Sequence, residues 1–497
     1  EDHIGAIPYL LRRLDVPVFA PPYALALIKA RLAEHAERPD APAWLRRPRL
    51  HATTAKRAFS MPSARASASP IEIEPIEVTH SIVDAMALAI RTVDGTIVHT
   101  GDFKIDDGIG EVASFDRARL AEIGREGVRL LLSDSTNVDN AGRTLSEAVV
   151  AATLDEVIGA AKGRVIVSLF ASNVLRLRAL ASTARRHRRR IALIGRSMQL
   201  HARVARELDF LDLPPDLVVT LEDAARLPGR DVMVLATGSQ AEPAAALARL
   251  SIDDHPRFRL DPGDTVILSS RAIPGKERNI AEMIGALYRR GCLVRFLATD
   301  PTIHASGHAC RDEQREMIEL VEPARFIPVH GTRHHLERHA ALARELGVAS
   351  VAVIENGEVA TVVADGLARD GTAPTGKVRV DEAGVLSAAV LRERSLAGEL
   401  GLVLVTVFVD DAGRTVERSL VSLHGVDDAP SLATDLTRAT AEIDSALDRH
   451  AWSTSAPTDA EIAELARGAA RRALDRNVGR RPMAVAHVVR AKRTGAH

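Results

Sequence analysis

Between Gly127 and about Val363, short runs of β-branched and aliphatic residues alternate with stretches of helical periodicity. Val128–Ser133, Arg164–Phe170, Arg190–Ile194, Val232–Ala236, Thr265–Ser269 and Leu293–Leu297 each stop near Gly, Ser or Asp. Unbroken apolar runs of this length suit strands covered on both faces, so the pattern predicts α/β layers. Ahead of them, Ile7–Leu14 reads as a helix, Val16–Ala20 as a strand, and a second helix starts near Tyr23. Ile73–Val78, Thr96–His99 and Phe326–Val329 read as further strands.

Arg46–Pro70 is rich in Ala, Ser, Pro and Arg, and a surface excursion is expected there. Ala364–Lys377 has the composition of a linker. After it come a strand at Leu402–Val409, a turn at Asp410–Gly413, helices at Leu432–His450 and Asp459–Leu474, and a strand at Met483–Val489. This predicts a small α+β appendix, and no internal repeat is visible.

Composition narrows the picture. A chain of 497 residues is too long for one ordinary core. Aromatics make up only 3%, so Ala, Val, Leu and Ile must fill the cores. A formal charge of −1 gives no global attraction to phosphate polymers, and any nucleic-acid affinity has to come from a local channel. Cys292 and Cys310 are the only cysteines, which excludes a disulfide framework and a Cys-rich zinc ribbon. No run of about 18 apolar residues predicts a membrane span, and a cytoplasmic location is expected.

Candidate chemistry sits where strands stop. Asp2 and His3 open the chain, His80 follows Ile73–Val78, Asp102 follows Thr96–His99, and His330 follows Phe326–Val329. Carboxylate and neutral imidazole are the ligands that hard-to-borderline divalent metals prefer. Strand ends converging on one edge would gather them into a two-metal site, of the kind that activates water and stabilises both oxygens of a phosphodiester displacement. His99 reads as structural. Loops at the carboxyl ends of such strands are where ligands bind. Here they carry Ser133–Asn137, Phe170–Asn173, Gly195–Met198, Thr237–Gln240 and Ser269–Arg271, whose hydroxyls and backbone N–H groups suit phosphate oxygens. His304-Ala305-Ser306-Gly307-His308 is the strongest local signal, with Gly307 expected to let the backbone approach a ligand. Lys104, Arg176, Arg196 and Arg271 are candidates for a nucleic-acid path, whereas Arg185–Arg190 reads as a solvated face.

The order and context of these motifs resemble ribonuclease J, of the β-CASP branch of metallo-β-lactamase-fold nucleases. The resemblance covers nearly the whole chain, from Glu1 to Gly479–Met483. It departs where the family's His-x-His-x-Asp-His run keeps only its last two positions, Asp2 and His3, so the chain is expected to lack its front and two metal-ligating histidines. Val83 stands in place of the family's Pro, and Ala241 in place of its Gly. The resemblance implies an αββα metallo-β-lactamase sandwich interrupted by a β-CASP α/β domain, with a small C-terminal α+β domain. The expected limits are 1–135 and 291–365 for the core, 136–290 for the insertion, 366–394 for a linker and 395–497 for the last domain.

It further implies two divalent ions, zinc foremost with manganese or magnesium as alternatives. Asp2, His3 and His330 would hold one ion, His80 would belong to the other, and Asp102 would bridge. His308, oriented by Asp134, would protonate or stabilise the leaving oxygen. Residues His304, Ala305, Ser306, Gly307 and His308, with Ser172, Asn173, Arg196, Ser197 and Ser269, would bind substrate. The implied activity is endonucleolytic and 5′-to-3′ exonucleolytic RNA hydrolysis in maturation and decay, on RNA with 5′-monophosphate ends. A homodimer or homotetramer, and membership of an RNA-decay complex, are implied as well. A DNA nuclease, a small-molecule hydrolase and a metal-depleted RNA-binding scaffold are the alternatives.

Overall fold

The computed structural model describes residues 3–61, 69–108, 114–381, 384–426, 432–452, 456–479 and 481–491. It divides into two units, Glu1–Thr375 and Gly376–His497.

In the first unit, a sheet of seven strands runs in the spatial order Ser350–Val351, Arg325–Val329, Val128–Asp134, Gly95–His99, Met86–Thr92, Ile71–Glu77 and Phe59–Met61. Gly95–His99 pairs parallel with Val128–Asp134, which pairs parallel with Arg325–Val329. Ile71–Glu77 and Gly95–His99 are both antiparallel to Met86–Thr92, so two reversals leave them pointing the same way. Four strands therefore end on one edge, and His80, Asp102, Asp134 and His330 sit at or just beyond those ends. Ile76, Ala87, Ala89, Val98, Leu131 and Phe326 bury one face against the helices Arg117–Glu126 and Arg311–Val321, through Leu120, Ile123, Met317 and Val321.

Val18–Ala20 and Leu50–Ala52 form a separate parallel ladder. Val18, Ala20 and Leu50 pack with Ile28 and Leu32 of the helix Pro22–Ala36. Phe19 points to the other side and stacks on Phe59, ring centroids 4.6 Å apart. Arg46–Pro70, expected as an irregular excursion, thus contributes the strands Leu50–Ala52 and Phe59–Met61, both held by pairing with distant partners.

The inserted sheet is all parallel, in the order Leu293–Arg295, Thr265–Leu268, Val165–Ser168, Val232–Ala236, Arg190–Ile194. Its apolar runs are continuous because both faces are covered. Val165 and Val167 face Leu154, Ile158, Leu177 and Leu180, while Ile166 faces Val234, Val266, Leu247 and Leu287. From Val165–Ser168 the chain goes to the edge strand Arg190–Ile194, returns to Val232–Ala236 and crosses to Thr265–Leu268 and Leu293–Arg295. The connections after Val165–Ser168 and Thr265–Leu268 therefore leave in opposite directions, and the switch point lies between those two strands.

The expected linker is largely regular structure. Glu358–Val363 pairs antiparallel with Gly366–Thr372, and Arg325 donates to the carbonyls of Val363, Ala364 and Gly366 at 2.7–2.9 Å. A helix covers Ala388–Leu400. In the second unit, Leu402–Val409 lies between Thr415–His424 and Met483–Arg490. Its alternate residues Val403, Val405, Val407 and Val409 are buried with Ile443, Leu447, Ile462 and Ala470 of two helices. Among the described residues no helix is long and apolar enough to cross a membrane.

Candidate metal centre and the loops around it

Asp102 is the hub. Its Oδ2 lies 2.9 Å from His3 Nε2 and 4.0 Å from His80 Nε2, and its Oδ1 lies 3.9 Å from His330 Nε2. Asp102, Asp134, His308 and His330 each present one ligand atom within 4.8 Å of the others. Asp2 lies outside the described residues. His99 caps the turn into Asp102, its Nδ1 accepting from Gly101 N at 3.0 Å, and burial lowers its pKa.

Each imidazole is oriented by its other nitrogen. His80 Nδ1 donates to Gly307 O at 2.6 Å, which leaves the Nε2 lone pair facing Asp102. Burial, and then the charge of His308, pushes His80 down to about 4, so it is neutral as a ligand must be. His330 Nδ1 lies 2.6 Å from Thr136 Oγ1, which donates in turn to Asp134 Oδ1 at 2.6 Å. His330 holds a left-handed φ of 57°, unusual for a residue with a side chain, and Thr136 secures it there. This donor set, imidazole nitrogens ranged around one partly buried carboxylate, fits a divalent ion.

His308 and Asp134 form a second group. His308 Nδ1 donates to Asp134 Oδ2 at 2.8 Å. Burial opposes the charged imidazole, yet the hydrogen bond and charge of Asp134 raise its pKa above the ordinary value. Burial likewise opposes the Asp134 carboxylate, but hydrogen bonds from His308 and His330 hold it well below the usual range. Thr136 N and Oγ1 occupy its Oδ1 at 2.9 and 2.6 Å, and Gln314 Nε2 reaches its main-chain oxygen at 3.2 Å. Both carboxylate oxygens of Asp134 are thus engaged, Oδ2 by His308 and Oδ1 by Thr136.

The 304–308 loop is pinned throughout. Asn137 Nδ2 donates to Ser306 Oγ at 2.8 Å and to His308 O at 2.9 Å, and Thr144 Oγ1 donates to His308 O at 2.9 Å. A Cβ on Gly307 would stand 2.6 Å from His80 Cε1, so this glycine admits His80, where a ligand contact was expected. His304 has a different partner from His308. Its Nδ1 accepts from Arg176 at 2.9 Å, and burial followed by the Arg176 charge lowers it to about 3. Ala305 is buried.

Other residues expected to bind substrate have partners inside the protein. Asn173 caps the helix Val174–Arg186 with its side chain on Arg176 N, and it is buried. Ser269 is fully buried, its Oγ donating to Ile303 O at 2.7 Å. Lys104 and Arg176 are buried in internal ion pairs, which removes both from a nucleic-acid path. Arg196 and Arg271 are exposed, and Ser172 and Ser197 are half-buried. In the basic run, Arg189 is buried and donates to the carbonyls of Ile158, Ala161, Gly163, Gly229 and Val232.

Thr136, Asn137 and Thr144 were not singled out as site residues from sequence. Thr136 and Asn137 stand in the Ser133–Asn137 run, and only the fold shows that they hold His330 and His308.

A family model described as "Ribonuclease J, beta-CASP domain" matches residues 162–287, and one described as "Zn-dependent metallo-hydrolase RNA specificity domain" matches residues 301–353. The chain is 37% identical over 416 residues to "Ribonuclease J" of Helicobacter pylori, covering 82% of this chain and 58% of that protein. It is 36% identical to "Ribonuclease J" of Thermus thermophilus, covering 85% and 73%, and 31% identical to "Ribonuclease J2" of Bacillus subtilis, covering 82% and 72%. The chain thus spans under three fifths of the length of the Helicobacter pylori relative.

Proposed function

From the premise that this chain belongs to the ribonuclease J family, with a metallo-β-lactamase fold carrying a β-CASP insertion, we propose that it hydrolyses RNA phosphodiesters in a metal-dependent reaction. The observation that carries this reading is the placement of the His308–Asp134 pair against Asp102, with His3, His80 and His330 around the same carboxylate.

His3, His80, Asp102 and His330 would hold divalent metal, with Asp2 as a further ligand. Zinc fits the imidazole-rich donors best, and manganese or magnesium are the alternatives. Such ions supply Lewis acidity to water and to the phosphodiester oxygens. The chain's own residues do the rest. Gly307 O and Thr136 fix the tautomers of His80 and His330. Asp134 favours the protonated form of His308, raising its pKa, and orients the imidazole so that Nε2 would offer a proton to a departing 3′-oxygen. Ser172, Arg196, Ser197 and Arg271, at the carboxyl ends of the inserted strands, would follow the RNA backbone.

The substrate class is RNA with 5′-monophosphate ends, cut endonucleolytically and 5′-to-3′, in ribosomal RNA processing and messenger RNA decay in the cytoplasm. Assembly as a homodimer or homotetramer, within an RNA-decay complex, belongs to the same reading. So do the domain limits 1–135, 136–290 and 291–365. The test is metal content and cleavage of 5′-monophosphorylated RNA by the natural full-length protein and its Asp102→Ala variant. Loss of both in the variant is expected; undiminished cleavage overturns the metal mechanism, and equal cleavage of matched DNA overturns the RNA preference.

A further inference from the structure

Four acidic and basic side chains lie in a row where the core, the insertion and the 304–308 loop meet. Lys104, Asp106, Glu147 and Arg176 are all buried, Lys104 completely and Arg176 to 1% exposure. Lys104 Nζ lies 2.8 Å from Asp106 Oδ2 and 3.8 Å from Glu147 Oε1. Asp106 accepts from Ser146 Oγ at 2.7 Å and from Glu147 N at 2.8 Å, which fixes the start of the helix Glu147–Ala160. Arg176 spans Glu147 with Nη2 at 2.7 Å and Nε at 3.2 Å. Its Nη1 then donates to Ser269 O at 2.9 Å, Ser269 Oγ at 3.2 Å and His304 Nδ1 at 2.9 Å, and Nη2 reaches Ala305 O at 3.4 Å. Lys104 is two residues from Asp102 along the chain, and His304, which Arg176 holds, is four residues from His308.

Removing ions from water is costly, and apolar packing of equal volume often holds a fold as well or better. What a planar guanidinium adds is direction, since its donors are fixed in one fork. Arg176 uses that fork to set one strand end of the insertion, at Ser269, and the first two residues of the 304–308 loop in a single geometry.

We propose that Arg176 and Glu147, with Lys104 and Asp106 behind them, form a positioning latch that sets His308 against Asp102 and so governs the rate of the chemical step without touching substrate. The inference rests on the function proposed above. A displacement of about 1 Å at a reacting group can lower rates by about 100-fold, and a buried fork with four kinds of acceptor opposes it at the start of the loop, as Asn137 and Thr144 do at its end.

The experiment is steady-state cleavage of 5′-monophosphorylated RNA by the natural full-length protein, with thermal melting of each variant. Arg176→Lys keeps a cation for Glu147 but cannot reach Ser269, His304 and Ala305 together. The double variant Glu147→Gln, Arg176→Met removes both charges while keeping volume. Both are expected to remain folded, the double variant melting below wild type because Ser269 O, Ala305 O and His304 Nδ1 lose their donor, with kcat lowered by about 10- to 100-fold and KM within about threefold. A double variant with wild-type kcat overturns the latch, because a merely structural pair would be relieved by neutralisation. So does a loss confined to KM. Should either variant fail to fold, Ser269→Ala decides: kcat lowered by about two- to fivefold at an unchanged melting temperature upholds the latch, and wild-type kcat refutes it. Wild-type protein that leaves RNA intact sinks the functional reading and the latch with it, whereas active wild type with indifferent variants sinks the latch alone.

Discussion

His80 and Gly307 are joined by a hydrogen bond of 2.6 Å from the imidazole Nδ1 to the carbonyl oxygen, across 227 residues of chain. The bond needs a backbone without a side chain, since a Cβ at 307 would lie 2.8 Å from that same Nδ1 and 3.1 Å from Ser81 Cβ. It ties the loop bearing His308 to a residue beside Asp102. Gly307→Ala is expected to lower RNA cleavage by about tenfold or more, with the metal content reduced as well. A variant with wild-type turnover and wild-type metal content would show that the close approach is dispensable.

Thr136 Oγ1 accepts from His330 Nδ1 and donates to Asp134, each at 2.6 Å. Thr136→Val keeps the shape and removes the relay. Partners that orient metal ligands are typically worth about 10- to 100-fold in affinity, and a loss of that size is expected when bound metal is titrated against a competing chelator. Unchanged affinity would remove Thr136 from the site.

Arg189 and its neighbours in the basic run separate fold from function. Arg185 and Arg186 pair with Asp212 and Asp155 at 2.7 Å on the surface, where an ion pair is worth about 0–1 kcal/mol. Arg189 donates to five carbonyls, and burial depresses even its guanidinium pKa, against the raising charge of Asp231. Arg189→Met is expected to cost about 2–4 kcal/mol of stability by leaving buried acceptors unmet, while Arg185→Ala costs under about 1 kcal/mol. Denaturant unfolding measures both, and comparable losses would contradict the assignment.

His339 is fully buried on the helix Arg333–Glu345, beside Ser135 Oγ at 3.0 Å, and burial lowers it to about 3. The unfolded chain takes up this proton near pH 6.5 and the folded protein does not. Stability is therefore highest above about pH 6.5 and falls towards pH 3, by up to about 1.4 kcal/mol per unit for one such group. His80 and His304 act in the same direction in metal-free protein. Unfolding free energies of His339→Asn should show a shallower slope in that window, and an identical slope would mean that His339 titrates normally.

The helical and strand periodicities were legible because they are local. Val128–Asp134, Arg190–Ile194, Val232–Ala236 and Leu402–Val409 declare themselves by unbroken β-branched runs. The Asp and His residues at strand ends were legible for a related reason. Strands that share a direction deliver their following residues to one edge, so Asp102, Asp134 and His330 meet once the sheet forms. The strands Leu50–Ala52 and Phe59–Met61 were not legible, because partners far along the chain make them strands.

Tertiary structure alone decided which polar groups are left for a ligand. Ser269, Asn173, His304 and Arg176 have the residue types of a phosphate site, yet each is spent on a partner inside the protein. Glu147 looks like an ordinary acid in a first helical turn until Arg176 closes on it. Residue type fixes what a side chain is able to bind, whereas burial and the nearest complementary atom fix what it does bind. Those two quantities depend on segments 29 to 128 positions away along the chain, here Glu147 and His304 around Arg176.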